Sequence, residues 1–295
     1  MAIEVEVFDE RVCDLGEGPF DDNLRNRAVW LDILSGKVLW KSWDGSESGE
    51  FSVGEHIGAL VPASSGKYIA CMVEGPAVMD EKGNWELITK YKENDDKFSS
   101  LATRSNDAKC DPFGDLWLGT MTYEMKEDEA ALYRLKARVH KTQRIHSATI
   151  SNGLGWSPKR DLMYYIDTFK YRVDIFDLDS NGDPHNRRTF VEIPQEDGFP
   201  DGMCVDAEGG IWVALWGGGQ VRRYEPNGKL SEIVKVPGQQ STSCAFVGPD
   251  LDLMIITTAQ RGSPTTPITD ESPGAGKTYA IKPGVKGMPT DKYRD

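Results

Sequence analysis

The stretch FPDGMCVDAEGGIWVALW at residues 199–216 decides the fold, because a closely similar stretch, RSNDAKCDPFGDLWLGTM, stands at residues 104–121. Each begins with a polar residue among small ones, continues through an Asp-x-x-Gly turn, and ends in a short apolar run that contains a Trp. The turn lets the chain reverse, and the Trp packs after it. Two copies of one turn-and-strand pattern in a chain of 295 residues predict a repeat architecture.

Short apolar runs that follow polar turns recur along the chain, whereas helical periodicity is scarce. The runs are AVWLDI (28–33), KYIACMV (67–73), DLWLGTM (115–121), LMYYIDT (162–168), GIWVALW (210–216) and LMIITTA (253–259). Their starts are separated by 39, 48, 47, 48 and 43 residues. Six units of about 49 residues match propeller blades of four short strands. We therefore predict an all-β fold, a six-bladed β-propeller that forms a single domain over residues 1–295. A pair of β-sandwiches would leave the six-fold repeat unexplained.

Further segments complete the blades. Later strands of the units are expected at GKVLWKSW (36–43), ALYRLKA (131–137), RVDIFDLD (172–179), QVRRYEP (220–226) and KTYAIKP (277–283). The N-terminal run IEVEVFD (3–9) has no complete blade of its own, so we expect it to add a strand to the last blade and close the ring. The Pro- and Gly-rich stretch 260–276 is predicted to be a surface loop of that blade, and the polar stretch 91–100 a segment that overhangs the site.

Charge and cysteine content limit the partners and the compartment. A net charge of −13 repels phosphates, which argues against a nucleic-acid partner. No apolar run approaches the roughly 18 residues that a membrane span needs, and the N-terminus does not resemble a signal peptide. The five Cys are scattered without a CxxC pair, as is typical of free thiols in a reducing compartment. We expect a cytoplasmic monomer without a membrane partner, with oligomers as an open alternative.

Four polar residues stand at matched places in four of the units. They are Glu17, Asn106, Asn152 and Asp201, which precede the aromatic residue of their unit by 13, 11, 12 and 11 residues. In a propeller the innermost strand of each blade lines a central channel, and we expect this strand to lie just before each turn. Similar offsets in different blades therefore place these four side chains at a similar height in one channel.

The chemistry of these four residues predicts a metal site in the central channel. Two carboxylates and two amides are costly to bury without partners, and a divalent cation removes that cost. All the donor atoms are oxygen, which favours a hard ion, Ca²⁺ first, with Mg²⁺ and Mn²⁺ next and Zn²⁺ or Fe²⁺ as further alternatives. The structural alternative for each residue alone is a polar group at a turn or a strand end.

Other motifs favour structural roles. DLDSNGD (177–183) starts like a calcium-binding EF-hand loop, but Arg188 stands at the twelfth position where a Glu is needed, so we expect a hairpin turn. GAGKT (274–278) resembles the end of a phosphate-binding loop, but Glu271 occupies a required Gly position and a strand is expected next. Trp156 and Trp216 are expected in the core, with substrate contact as the alternative. No GxSxG motif indicates a nucleophilic Ser.

Taken together, several segments resemble one known family. They are LGEGPFDD (15–22), RSNDAKCDPFGDLWLGTM (104–121), SNGLGWS (151–157), YYIDT (164–168), FPDGMCVDAEGGIWVALW (199–216) and STSCAFVGPDLDLMIITTA (241–259). In this order they are similar to the SMP-30/gluconolactonase/luciferin-regenerating enzyme family, whose animal members are called regucalcins. The resemblance covers about residues 15–260. It implies a six-bladed propeller with one divalent metal ion in the channel, and many members hydrolyse sugar lactones.

The resemblance also implies roles for individual residues. Glu17, Asn152 and Asp201 match the positions that bind the metal ion. Arg104 and Asn106 match positions that hold the substrate, and Glu124 in GTMTYE matches a further substrate contact among less similar neighbours. Many animal members have SNGLDW where this chain has SNGLGW, so Gly155 replaces an acidic residue. We interpret this change as a sign of a different substrate preference.

The sequence thus predicts a metal-dependent hydrolase that opens a small-molecule sugar lactone, such as an aldonolactone. We expect the bound ion to polarise the carbonyl, Asp201 to accept a proton from the attacking water, and Arg104 to stabilise developing negative charge. One alternative is a calcium-binding regulatory protein, which needs the same oxygen ligands. The other is a related propeller hydrolase of another ester or of a phosphoester.

Overall fold

Six four-stranded antiparallel sheets make up the fold in the computed structural model, which describes residues 3–98, 101–137, 139–261 and 271–295. In five sheets the strands follow one another in chain order, and in the sixth the outermost strand comes from the N-terminus. The first strand of each sheet packs against the first strands of the two neighbouring sheets, and the sixth sheet meets the first. The sheets therefore form a closed ring, and the predicted six-bladed β-propeller is confirmed.

Within each blade the four strands run from the channel to the outside. The innermost strands are β2 (Gly16–Asp22), β6 (Ile57–Pro62), β10 (Thr103–Cys110), β14 (Ser151–Trp156), β18 (Phe199–Val205) and β22 (Ser241–Val247). The second strands are β3 (Arg27–Asp32), β7 (Tyr68–Met72), β11 (Leu116–Thr122), β15 (Leu162–Asp167), β19 (Ile211–Trp216) and β23 (Leu253–Thr258). All six predicted apolar runs coincide with these second strands.

The outer half of each blade completes the sheet. The third strands are β4 (Lys37–Ser42), β8 (Pro76–Met79), β12 (Ala130–Leu135), β16 (Arg172–Leu178), β20 (Gln220–Tyr224) and β24 (Thr278–Ile281). The outermost strands are β5 (Ser48–Ser52), β9 (Trp85–Leu87), β13 (Thr142–Ala148), β17 (Pro184–Glu192), β21 (Leu230–Lys235) and β1 (Glu6–Asp9). Because β1 pairs with β24, the expected closure of the ring by the N-terminal strand is confirmed.

The Asp-x-x-Gly turn owes its regularity to the side chain of its Asp. In the fifth blade, Oδ1 of Asp206 accepts hydrogen bonds from the backbone N–H groups of Glu208 (3.0 Å) and Gly210 (2.8 Å). Its Oδ2 accepts from Nε1 of Trp212 at 3.0 Å. Asp111 makes the equivalent bonds in the third blade, including one to Nε1 of Trp117 at 2.8 Å. The motif therefore links a tight turn to a buried Trp of the next strand.

The hydrophobic core lies between neighbouring blades. One cluster joins the second and third blades through residues such as Ile69 and Leu118, and another joins the fourth and fifth through residues such as Ile166 and Val213. Trp156 belongs to a cluster with Trp117, which confirms the predicted core position of Trp156. Every sheet is thus held by its neighbours as well as by its own hydrogen bonds.

Two connecting segments lie where the sequence predicted them. Residues 179–183 form a turn between β16 and β17, as expected for the segment that starts like an EF-hand, and the GAGKT segment leads into strand β24. The stretch 91–100 begins with a short α-helix, α1 (Tyr91–Asn94), whose Tyr91 is buried against Tyr133. The predicted surface loop at 260–276 lies largely outside the described residues, as do positions 99 and 100. All five Cys are buried and free, as expected.

Candidate functional site

The innermost strands share an irregularity that turns polar side chains toward the channel. Each of the six loses its regular register with the second strand near its start, as at Glu17–Phe20 in β2 and Ser151–Leu154 in β14. A β-bulge of this kind re-aims the side chain at the extra position. In the second blade the equivalent residue is Gly58, where a Cβ atom would lie 2.4 Å from the backbone of Ser105. The bulges therefore set which residues line the axis.

Glu17, Asn152 and Asp201 meet at this level of the channel. Nδ2 of Asn152 donates to Oδ1 of Asp201 on the neighbouring blade and, at 3.1 Å, to Oγ1 of Thr168. Its Oδ1 atom is buried and has no hydrogen-bond partner among the described residues. The three side chains are between 4% and 8% exposed. An amide oxygen that has no partner among the described residues, beside two buried carboxylates, is a set of oxygen donors that suits a cation.

Electrostatic repulsion within the channel is strong. Burial raises the pKa of Glu17 well above its usual range, and the negative charge of Asp201 raises it further. Burial likewise raises the pKa of Asp201, with a smaller contribution from Asp107. Asp107 is itself buried, with Oδ2 unpartnered among the described residues, and burial raises its pKa as well. Three acidic side chains are therefore buried close enough together for their negative charges to interact.

The donor atoms present fit a hard divalent cation. In the ranges that the structure covers, no three or more His, Cys, Asp or Glu side chains are grouped to hold a metal ion, so a zinc site of the His or Cys type is not found there. The set at the channel consists of the Glu17 and Asp201 carboxylates and the unpartnered Asn152 oxygen. Oxygen donors of mixed charge suit Ca²⁺, Mg²⁺ or Mn²⁺.

Arg104 and Asn106 stand beside the acidic residues. Nη1 of Arg104 donates to Oδ1 of Asn106 at 2.8 Å and to the carbonyl oxygen of Ser105 at 2.9 Å. Nδ2 of Asn106 donates to the carbonyl oxygen of Ser151 at 3.0 Å, which ties the third blade to the fourth. The guanidinium is buried and interacts electrostatically with both Glu17 and Asp201. The structure thus brings together five of the six residues selected from the sequence.

Glu124, the sixth selected residue, has a different environment. It is exposed in the turn after β11, two residues beyond the end of that strand. Its neighbour Tyr123 is half-buried, and the Tyr123 hydroxyl lies 2.7 Å from Nδ1 of His56, which immediately precedes β6. The Arg104 guanidinium interacts electrostatically with both Tyr123 and His56. A polar wall therefore continues from Arg104 along the second and third blades.

Aromatic residues occupy the same level of the fourth and fifth blades. Phe169 and Tyr171 both contact the ring of Phe199, with centroid separations of 5.7 and 5.1 Å. Phe169 follows Thr168, which accepts the Asn152 hydrogen bond, and Phe199 lies two residues before Asp201. Phe169 is 39% exposed. The site is therefore polar on one side and aromatic on the other. Trp216, at the end of β19, is partly buried and packs against the small cluster that contains Leu15.

Beyond the site residues the channel widens into a cavity of about 270 Å³. Its lining includes Trp156, Gly155 and residues 288–291 near the C-terminus. Lys109 lies in the same cavity, and its ammonium group donates to the carbonyl oxygen of Met203 across the channel. A Cβ atom on Gly155 would lie 2.6 Å from the Val205 side chain. Gly155 therefore shapes this inner cavity, three residues along β14 from Asn152.

Sequence reasoning missed several residues of the site. Asp107 is adjacent to Asn106 in RSNDAK and could have been selected as a further acid at the same bulge. Thr168 ends one of the repeated apolar runs, so its polar side chain was a usable signal. His56 and Tyr123 carry no local signal, because their proximity depends on how two blades pack together.

A six-bladed propeller with an oxygen-rich polar site in its channel defines a recognisable class of protein. The family described as SMP-30/Gluconolactonase/LRE-like region matches residues 15–260. The chain belongs to this family, which confirms the resemblance seen in the sequence.

Individual relatives agree with this assignment. The chain is 35% identical to a regucalcin of Danio rerio over 298 residues, covering 99% of both chains. It is also 35% identical to the putative sugar lactone lactonase YvrE of Bacillus subtilis over 274 residues, covering 91% of both. A solved structure of a calcium-binding protein, regucalcin, from Agrobacterium tumefaciens superposes with a TM-score of 0.89 at 28% identity, covering 100% of this chain and 99% of the other. Across the described residues, no helix is long and apolar enough to cross a lipid bilayer.

Proposed function

We propose that this protein is a metal-dependent lactonase that hydrolyses a sugar lactone, such as an aldonolactone, to the aldonic acid. The observation that carries the proposal is the buried Oδ1 of Asn152, which has no partner among the described residues, on a side chain that is hydrogen-bonded to Asp201. The Arg104 guanidinium interacts electrostatically with both Asp201 and Glu17. Family membership supports it, because relatives include a putative sugar lactone lactonase. A cytoplasmic enzyme of this kind needs only a small-molecule substrate and one divalent ion.

Glu17, Asn152 and Asp201 are the residues that would hold the ion. Two carboxylates neutralise a divalent charge, and the amide adds a neutral oxygen donor. Ca²⁺ is our first choice among hard ions, and related proteins named regucalcin agree with it. When bound, such an ion supplies Lewis acidity that polarises a carbonyl group and makes water more acidic. All other parts of the chemistry come from side chains of this protein.

We propose Asp201 as the group that accepts and returns the proton. Asp201 is buried among the site residues, and an ionised carboxylate there can accept a proton from water. The attacking water gives a proton to Asp201 while its oxygen bonds to the lactone carbonyl carbon. As the ring C–O bond breaks, the ring oxygen takes up the proton from Asp201. Water is consumed, and one hydroxy acid is formed.

Arg104 and Asn106 are proposed to hold the substrate. The Arg104 guanidinium would stabilise the negative charge that develops on the carbonyl oxygen, and its burial strengthens this effect. The hydrogen bond from Arg104 to Asn106 fixes both side chains before substrate arrives. Glu124, at an exposed position beyond this pair, is proposed to contact the distal part of the substrate. The aromatic residues across the site can stack against the C–H face of a sugar ring.

A pH-indicator assay over a panel of aldonolactones tests the proposal. We expect acid release from at least one sugar lactone, loss of activity on chelation, and recovery with a divalent ion. Asp201→Asn should lose at least about a hundredfold in kcat, because the base is removed. Asp250→Asn, an exposed position in the turn between β22 and β23, is the matched control and should keep full activity.

The competing functions predict different results in the same assay. A calcium-binding regulatory protein would bind Ca²⁺ through the same residues and release no acid from any lactone. A hydrolase of another ester or of a phosphoester would be inactive on lactones and active on an ester or phosphoester panel. Full lactonase activity of chelated protein, or of Asp201→Asn, would contradict the proposed mechanism.

A further inference from the structure

His56 and Tyr123 form a hydrogen-bonded pair that spans two blades. His56 immediately precedes the innermost strand β6 of the second blade, and Tyr123 immediately follows the second strand β11 of the third blade. Nδ1 of His56 and the Tyr123 hydroxyl oxygen are 2.7 Å apart, and the ring centroids are 5.7 Å apart at an angle of 56°. Both side chains are half-buried, so each keeps a surface that a ligand can reach.

The His56–Tyr123 pair lies next to the candidate site, and Arg104 stands between the two. The backbone N–H of Tyr123 donates to the carbonyl oxygen of Ala102 at 3.0 Å, two residues before Arg104. The Arg104 guanidinium interacts electrostatically with Tyr123 and His56 as well as with Glu17 and Asp201. Burial lowers the pKa of His56, and the positive charge of Arg104 lowers it further. Both effects favour the neutral imidazole over the imidazolium. The polar groups run in order from the proposed metal ligands through Arg104 to this pair.

Hydrophobic packing already joins the two blades that the pair spans. The second and third blades are already joined by a hydrophobic cluster that includes Ile69, Cys71 and Leu118. The neighbouring Glu55 does not anchor the imidazole, since its Oε1 accepts from the backbone N–H of Val73 at 3.1 Å. The pair therefore adds polar groups at a place where packing alone would hold the blades together.

The chemistry of the pair suits a hydroxyl group. A neutral imidazole has one donor and one acceptor nitrogen, and Nδ1 is already engaged with Tyr123, which leaves Nε2 for a ligand. The Tyr123 hydroxyl can donate and accept, as an alcohol can. A ligand hydroxyl beside Arg104 would therefore find both a donor and an acceptor fixed by their mutual hydrogen bond. A hydrogen-bonding site of this kind rejects an analogue that lacks the hydroxyl.

We propose that His56 and Tyr123 are specificity-determining residues that bind a ring hydroxyl group of the lactone next to Arg104. This inference rests on the proposed lactonase function and names the residues by which the site would distinguish a lactone hydroxylated on the ring from an unsubstituted one. Unsubstituted lactones of the same ring size would bind the site without using the pair.

Comparing two lactones of one ring size tests the inference. We expect Tyr123→Phe and His56→Ala each to lower kcat/KM for gluconolactone by about tenfold, mainly through KM, because a hydrogen bond to the substrate is lost. The loss on δ-valerolactone, which has no ring hydroxyl, should be below about threefold. His56→Gln, which keeps a donor and an acceptor, should restore part of the loss. His185→Ala, exposed on the outermost strand β17, is the control and should behave as wild type.

The possible outcomes separate this inference from the proposed function. If the wild type hydrolyses no lactone, the proposed function fails and the inference fails with it. If the wild type is active but the variants are unchanged on gluconolactone, or lose equally on both lactones, only the inference is overturned. Binding of a cyclic polyol that is not a lactone, such as methyl glucopyranoside, by calorimetry gives a readout without turnover, and weakening by about tenfold in Tyr123→Phe is expected. Thermal unfolding of each variant shows whether a loss reflects misfolding.

Discussion

Some buried carboxylates in this chain have a partner that compensates their charge, and others do not. Asp22 accepts hydrogen bonds from Arg27 at 3.1 Å and from Tyr68, so its charge is compensated. Glu17 and Asp201 lie together in the channel, and their pKa values are raised by burial and by neighbouring acids. Compensated acids are typical of structure, whereas uncompensated ones are typical of sites that bind a cation or move a proton. The contrast supports a functional role for the channel acids.

Asp21 lies outside the channel and allows the effect of burying a carboxylate on the stability of the fold to be measured. Burial raises its pKa to about 6, although Oδ1 accepts from Trp43 and from the backbone of Gly248. In the unfolded chain the pKa of an Asp side chain is about 3.9, so Asp21 binds its proton more tightly in the folded protein than in the unfolded chain. Stability from this group is therefore fully present below about pH 4 and is lost as the pH rises through 6. Asp21→Asn should raise the Tm by roughly 2 °C at pH 7.5 and leave it unchanged near pH 4.

The neighbouring acid is the control for this measurement. Asp22→Asn removes the charge that pairs with Arg25 and Arg27, so its Tm should fall at pH 7.5. Thermal unfolding of both variants across pH 4 to 8 measures the two effects. A Tm of Asp21→Asn below that of wild type at pH 7.5 would show that the ionised carboxylate stabilises the fold.

At the scale of elements, the turn Asp and its Trp are the repeating unit. Oδ2 of Asp206 accepts from Trp212 and, at 2.8 Å, from Nε of Arg223, and both partners are buried. Asp206→Ala would leave the indole N–H of Trp212 and the Nε–H of Arg223 without their acceptor and would release the turn. We expect a loss of about 3 kcal/mol or more in the free energy of unfolding, measured by urea denaturation.

Two further substitutions in the same turn provide comparisons for the loss of unfolding free energy expected in Asp206→Ala. Asp206→Asn keeps Oδ1 for the backbone N–H groups but places an amide donor against Trp212 and Arg223, so an intermediate loss is expected. Glu208 also pairs with Arg223, at 3.2 Å, but its side chain is 66% exposed. Glu208→Ala should therefore cost less than about 1 kcal/mol. Equal losses for Asp206→Ala and Glu208→Ala would contradict this account of the turn.

The same elements explain how far the sequence could predict the molecule. The second strands are short, apolar and preceded by turns, so local sequence specifies them and gives the repeat. Glu17, Asn152 and Asp201 were predictable because a repeat converts equal offsets into equal positions around one axis. Outermost strands such as β5 and β21 are largely exposed and have no apolar pattern, so they left no signal. The His56–Tyr123 pair was equally hidden, because only blade packing brings the two together.

At the scale of the whole molecule, both ends of the chain hold the ring together. Strand β1 pairs with β24 and completes the sixth blade. The C-terminal segment then crosses to other blades. The backbone N–H of Gly287 donates to Leu251 in the sixth blade, and that of Tyr293 donates to Pro62 in the second. The N–H of Arg294 donates to Gly114 in the third blade. The last ten residues therefore connect distant blades across one end of the channel.

Tyr293 is the strongest anchor of this segment and gives the last prediction. Its side chain is fully buried among residues of the second and third blades, and its hydroxyl has no hydrogen-bond partner in the described part of the chain. Tyr293→Ala should lower the free energy of unfolding by about 3 to 5 kcal/mol, since it leaves a large cavity. Tyr293→Phe removes only the unpartnered hydroxyl and should be neutral or stabilising.

We further propose that residues 1–295 unfold as one cooperative unit, because the anchored segment joins blades that are far apart in sequence. Trp fluorescence and far-ultraviolet circular dichroism should then show coincident urea transitions in the wild type and in both Tyr293 variants. In Tyr293→Ala the single transition should move to lower urea with an unchanged slope. If the two probes separate in that variant, the second and third blades depend on the C-terminal segment more than the others do, and the ring is not one cooperative unit.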